Sequence, residues 1–210
     1  MRSKKLMNLK VTFFIQDFVI SLFLKQKISL MDKQLVARIR QNDQRAMGLL
    51  YQRYVGILTS VCYRYVAQES DIKDVLQNSF VKIFTSLSSF EFRGEDSLKV
   101  WMTRIVVNES LNFLQSRKKM LFVEDERFLR DLPNEEEVNL DRISDDELHQ
   151  LIRELPDGYR TVLNLFVFEG LSHRQIAELL SIKESTSASQ FYFAKRLLAK
   201  KIRNLKNKKE

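Results

Sequence analysis

From Ile72 to Leu87 the chain places a small or apolar residue at every position that one face of an α-helix requires: Ile72, Val75, Leu76, Ser79, Phe80, Ile83, Phe84 and Leu87. Steps of three and four residues hold side chains on one side of a 3.6-residue turn, so this stretch predicts one unbroken helix with a buried stripe. Five glycines and two prolines in 210 residues leave few places to interrupt such helices, and the chain is expected to be all-α. Leu35, Val36 and Ile39, then Ala46, Leu49, Leu50 and Tyr54, predict a helical pair parted near Asn42-Asp43. Ile57, Leu58, Val61 and Tyr65 continue that packing, and Leu98, Trp101, Met102, Ile105 and Val106 mark a further helix.

The C-terminal quarter repeats the pattern in shorter pieces. Leu148, Leu151, Ile152 and Leu155 predict a helix closing at Pro156-Asp157-Gly158, and Tyr159, Val162, Leu163, Phe166 and Val167 the next, ending at Glu169-Gly170. Ser172 and Gln175 form a capping box, so a helix starts at His173 and turns Ile176, Ala177 and Leu180 inward. Past a turn, Ser187, Phe191, Ala194 and Leu198 give a second short stripe. Opposite it lie Ser185, Thr186, Ser189, Tyr192, Phe193 and Arg196, a face able to enter a major groove. This is the pattern of a DNA-reading helix-turn-helix; the plainer reading is two ordinary packed helices.

Charge and cysteine content exclude several classes. One cysteine, Cys62, rules out a disulfide framework and reads as helix filler; two distant histidines, His149 and His173, leave no ligand set, so neither metal nor cofactor is expected. The net charge of +8 suits a polyanionic partner. It is unevenly spread: Glu124 to Glu147 holds eleven acids against three arginines, a local −8 that leaves +16 on the remainder. That run carries Pro133 and Asn134 and no sustained period, as a flexible acidic linker would. Dense acids outside a fold argue against a nucleic-acid enzyme, so no catalytic residue is expected.

Two blocks carry a family resemblance. Leu155-Pro156, Tyr159 to Leu163, Phe168 to Ser172 and Gln175 to Leu180 closely resemble region 4 of bacterial sigma factors, the part that binds the −35 promoter element. Asp71 to Phe84 is similar to sigma region 2, whose helix docks on the β′ clamp of RNA polymerase. Region 2 joined straight to region 4 is the layout of the extracytoplasmic-function subfamily.

The resemblance implies an initiation factor of two helical domains that binds core polymerase at the β′ clamp and β flap and recognises −10 and −35 DNA. Asp71, Asp74, Gln77 and Asn78 would face polymerase, Asn78 standing where the family often has glutamate. Phe90, Phe92 and Arg93 lie in a polar loop where the family holds a flipped base; in the sequence alone such aromatics either fold back on the core or offer a π face. Asn108 matches the family's DNA-reading asparagine, since an amide pairs bidentately with adenine, while Arg104, Arg117, Lys118 and Lys119 would follow phosphates. Trp101 matches a family tryptophan, read as packing. At the −35 element the readers would be Lys183, Ser185, Thr186, Ser189, Gln190, Tyr192 and Arg196. Ser181 takes the turn position where relatives commonly carry glycine, a strain on the order of 1 kcal/mol if left-handed. The acidic run is then either a plain solvated connector or a strand threading the polymerase channel. The rival function is a free-standing transcriptional regulator, which would lack the helix at Asp71 to Phe84. A cytoplasmic location and an anti-sigma partner are further implications.

The expected organisation is an extra N-terminal segment over 1–31, region 2 over 32–119, the linker over 120–144, region 4 over 145–203 and a basic tail over 204–210. Val11 to Leu24 is apolar and follows Arg2, Lys4, Lys5 and Lys10, superficially an export signal. It is too short to span a bilayer, is interrupted by Gln16-Asp17 and precedes no small-residue cleavage site, so no integral membrane protein is expected. Met31, just before Asp32, is the expected start of translation, the alternative being a membrane-surface helix or interaction segment.

Overall fold

The structure, a computed structural model, describes residues 26–116 and 143–207. The expectations for Val11 to Leu24, Arg117, Lys118, Lys119, most of the acidic run and the last three residues lie outside them. The described residues form eight α-helices and no strand: α1 (26–39), α2 (Gln44–Tyr63), α3 (Glu69–Ser86), α4 (Ser97–Ser116), α5 (Asp145–Arg153), α6 (Asp157–Val167), α7 (His173–Leu180) and α8 (Glu184–Asn207), with a 3-10 turn at Leu87–Ser89. Among them no helix is long and apolar enough to cross a membrane. By their contacts they fall into two units, 26–58 with 78–105, and 59–77 with 106–116 and 143–207.

In the first unit, Asn42 at φ 62° turns the chain after α1, and Asp43 starts α2 by accepting the backbone N–H groups of Arg45 (2.9 Å) and Ala46 (3.1 Å). Val36, Ile39, Ala46, Leu50, Tyr54 and Leu58 are buried, as are Phe80, Ile83, Leu87, Leu98 and Met102. Leu49 and Ile57, expected in this core, are exposed. Each stands about 100° from its neighbour, Leu50 or Leu58, which takes the centre of the stripe. α1 begins ahead of Asp32, whose carboxylate is buried and accepts the Tyr54 hydroxyl at 2.5 Å, with Arg53 at 3.3 Å. Burial pushes the Asp32 carboxyl up against the opposing pull of those two partners.

The second unit opens on the end of α2. Cys62 is buried and accepts the Ser110 hydroxyl at 3.7 Å; burial pushes its thiol up to about 11, so it is inert packing. In the C-terminal helices, Ser144 and Glu147 cap α5 and Ser172 and Gln175 cap α7, each a reciprocal box. Glu147 therefore belongs to a helix start rather than to the acidic linker, and α8 continues through Asn207 into the stretch expected as a tail. Ile152, Leu155, Tyr159, Leu163 and Ala194 form the core, with Leu148, Phe191, Phe193, Leu197 and Leu198 packed around it. Helix α6 is buried on every side from Gly158 to Leu165, whereas Val167, placed in its stripe by periodicity, is exposed. Arg160 is 3% exposed; its guanidinium donates to the carbonyls of Arg153 (2.9 Å) and Leu155 (3.0 Å) and to the Asp157 carboxylate, closing the α5–α6 corner. Desolvation lowers its affinity for the proton and Asp157 opposes that.

Candidate nucleic-acid interface

The loop between Leu87–Ser89 and α4 is bent at Gly94 (φ 143°), a conformation that glycine alone adopts freely, and at Asp96 (φ 58°). The bend opens a cleft of about 460 Å³ whose walls include Phe90, Arg93, Val100, Trp101 and Arg104. Phe90 itself is only 6% exposed, packed against Trp101 and edge-on to Phe92, each with ring centroids 4.9 Å away. It therefore folds back as a wall of the cleft, which corrects the expectation of a free base-contacting ring; apolar area at the foot of the loop is better buried than solvated. Phe92 is half-buried with the Lys33 ammonium 5.9 Å from its ring, and keeps an accessible π face. Arg93 is exposed, 3.6 Å from Glu91. Arg104 is exposed on α4, and Asn108, one turn further on, is exposed too. Trp101 is half-buried packing, in keeping with its reading from sequence.

The helix-turn-helix is made by α7 and α8. Its turn places Ser181 at φ 55°, ψ 44°, left-handed, with the Ile182 N–H donating to Ala177 O at 3.0 Å. His173 stacks on Phe166 at 4.7 Å and its Nδ1 meets Ser187 Oγ at 3.0 Å, tying the start of α7 to the buried side of α8. Lys183, Ser185 and Tyr192 are exposed, and Thr186, Ser189 and Arg196 half-exposed. The Arg196 guanidinium lies 5.5 Å from the Tyr192 ring centroid and donates to its hydroxyl at 3.4 Å. Gln190, expected among the readers, is 1% exposed. At 100° per residue it falls about 40° from Ala194 and so shares the core side of α8. Phe193, assigned to the groove face, packs on Tyr159 with centroids 6.2 Å apart. The core covers more of α8 than a four-residue stripe implies.

On α3, Asp74, Gln77 and Asn78 are exposed, but Asp71 is 4% exposed and joins the core side. Four residues before Val75, it sits about 40° from that stripe member; it also lies in the first turn, where free N–H groups favour a carboxylate. Among the described residues no group of three acidic, histidine or cysteine side chains could hold a metal ion.

Comparison with known proteins accords with this layout. Residues 50–120 match the family profile for Sigma-70 region 2, and residues 145–198 that for Sigma-70, region 4. The chain is 34% identical over 191 residues to the ECF RNA polymerase sigma-E factor of Haemophilus influenzae, covering 84% of this chain and 97% of that protein. It is 30% identical over 185 residues to the RNA polymerase sigma-H factor of Pseudomonas aeruginosa, covering 83% and 95%. A solved structure of CnrH in complex with the cytosolic domain of CnrY aligns at 21% identity and a TM-score of 0.45, over 83% of this chain and 98% of that one. The chain belongs to the extracytoplasmic-function family of RNA polymerase sigma factors and directs promoter-specific initiation of transcription.

Proposed function

We propose that this sigma factor docks on core RNA polymerase through Asp74, Gln77 and Asn78 of α3, opens the −10 element with the cleft around Phe92, and reads the −35 element with α8. The cleft carries the reading: an accessible aromatic face beside Arg93 and Arg104, with the Asn108 amide one turn away, combines stacking, phosphate attraction and an edge-reading group. Arg117, Lys118 and Lys119, next in sequence after α4, extend the cationic path. Lys183, Ser185, Thr186, Ser189 and Tyr192 meet base edges and Arg196 a phosphate. Asp71, Phe90 and Gln190 serve these surfaces by packing beneath them. The acidic connector occupies the polymerase channel, and an anti-sigma protein restrains the factor in the cytoplasm.

Transcription from a promoter library by core polymerase, with and without the chain, tests the reading; promoters used only when the chain is present support it, and an unchanged profile refutes it. For the docking face, Asp74→Lys is expected to weaken core binding by about 1.5–3 kcal/mol, the worth of a charged hydrogen bond. Unaltered affinity in a titration removes α3 from the interface.

A further inference from the structure

The short connection between α2 and α3 accepts hydrogen bonds from the C-terminal helices, all within the second unit. Arg160 Nη2 donates to Tyr65 O at 2.8 Å, Asn164 Nδ2 to Arg64 O at 2.6 Å, and Arg153 Nη2 to Ala67 O at 2.9 Å. Around these carbonyl bonds, Arg64 Nη2 pairs with Glu169 Oε1 at 3.0 Å, and the Tyr65 hydroxyl donates to the same oxygen at 3.4 Å. The Arg64 guanidinium stacks 4.7 Å from the Phe168 ring and that of Arg153 4.8 Å from the Tyr63 ring. Three carbonyls that follow a helix end would otherwise face water; instead each meets a side chain of α5 or α6. Arg160 and Asn164 are buried there.

We infer that this contact is an intramolecular latch that holds the factor in a form unable to engage both promoter elements, and that it must open on the polymerase. The inference rests on the proposed reading of Asn108 and α8 as readers of one promoter. Both lie in the second unit, which comprises about a hundred described residues, and a compact body of that size has a radius of gyration of about 13 Å. Elements centred roughly 25 base pairs apart are separated by about 85 Å of duplex. Residues 117–142, fully extended, cover up to about 90 Å, so the covalent chain permits the separation that the latch forbids.

The latch is built to release without stranding a buried charge. When Tyr65 O departs, Arg160 keeps the carbonyls of Arg153 and Leu155 and the Asp157 carboxylate, all within its own corner. Arg64, Tyr65 and Glu169 gain water. The contact can therefore act as a reversible device rather than as a permanent core.

Two readouts test it on the full chain. In small-angle scattering of the free protein, Arg64→Ala with Asn164→Ala is expected to enlarge the radius of gyration by several ångströms with helical content unchanged. An unaltered radius overturns the latch. Second, Arg64→Cys with Glu169→Cys is joined by a reducible bis-maleimide; Cys62, buried with its thiol pushed up to about 11, stays unlabelled. The tethered chain is expected to lose at least tenfold in transcription with core polymerase from a promoter bearing both elements, and to regain it when the tether is reduced. Equal transcription by tethered and released chains overturns the inference. Failure of the untethered parent to direct transcription would instead refute the proposed promoter-reading function, and the scattering result then decides the latch alone.

Discussion

The two DNA-reading surfaces differ in curvature, and the difference follows from what each holds in place. The −10 surface is concave: a loop bent at Gly94 wraps Phe90 and Phe92 over Trp101 and leaves a cleft about one nucleobase deep in aromatic walls. The −35 surface is convex, a helix face on which Tyr192 and Arg196 brace one another above a core that takes in Gln190 and Phe193. A concave aromatic site can surround one extruded base; a convex polar face can only lie against stacked pairs. The two aromatics of the loop thus divide the labour, Phe90 as framework and Phe92 as contact. On α8 the division runs between sides of one helix.

The sharpest break of that comparison is Phe90→Ala. A ring this buried is expected to cost about 3–5 kcal/mol of stability through the cavity it leaves, read as a lowered urea midpoint. If Phe90→Ala leaves stability intact and abolishes opening, the framework and contact roles are reversed.

Next in size are Phe92→Ala and Asn108→Ala. Each is expected to weaken strand opening by about 1–3 kcal/mol, the range of a stacked base or a bidentate contact, with folding nearly unchanged. Permanganate footprints of the open complex check this. Footprints equal to the parent's would leave the cleft without its assigned purpose.

The smallest effect belongs to the convex side. Arg196→Ala is expected to lower affinity on all promoters alike and to reduce the salt dependence by about one unit of slope, whereas Ser189→Arg changes which −35 sequences are selected. Promoter selection at two salt concentrations distinguishes them. A shifted profile for Arg196→Ala with an unshifted one for Ser189→Arg would exchange the two assignments.

Periodicity and end signals made most of the fold legible. The stripe on α3 is buried at Ile72, Val75, Phe80, Ile83 and Leu87, and the Ser172–Gln175 box starts α7 where its spacing placed it. The equivalent Ser144–Glu147 box was equally legible but hidden inside a run of acids, where the same glutamate reads as linker charge. Residues at the margin of a stripe resisted reading. Asp71 and Gln190 each lie about 40° from a core position, and their polar character pointed outward while the packing drew them in. The cleft residues were legible through resemblance; which of two adjacent aromatics is buried depends on how the loop folds, and no local pattern records that. Arg160 and Asn164 gave no signal at all, because carbonyls from the distant stretch 64–67 complete their partners.

Helix α6, enclosed on every side from Gly158 to Leu165, has a consequence for how the C-terminal helices breathe. Amide protons exchange with solvent only when their own hydrogen bonds open, and an element without a solvent face has no shallow way to do so. The amides of α6 thus share the slowest clock of the C-terminal helices, while the last turns of α8, beyond the buried Ile202, fray on a fast one. The groove-reading helix is hence anchored at its root and loose at its basic end, so the tip can adjust to phosphates without loosening the face that meets the bases.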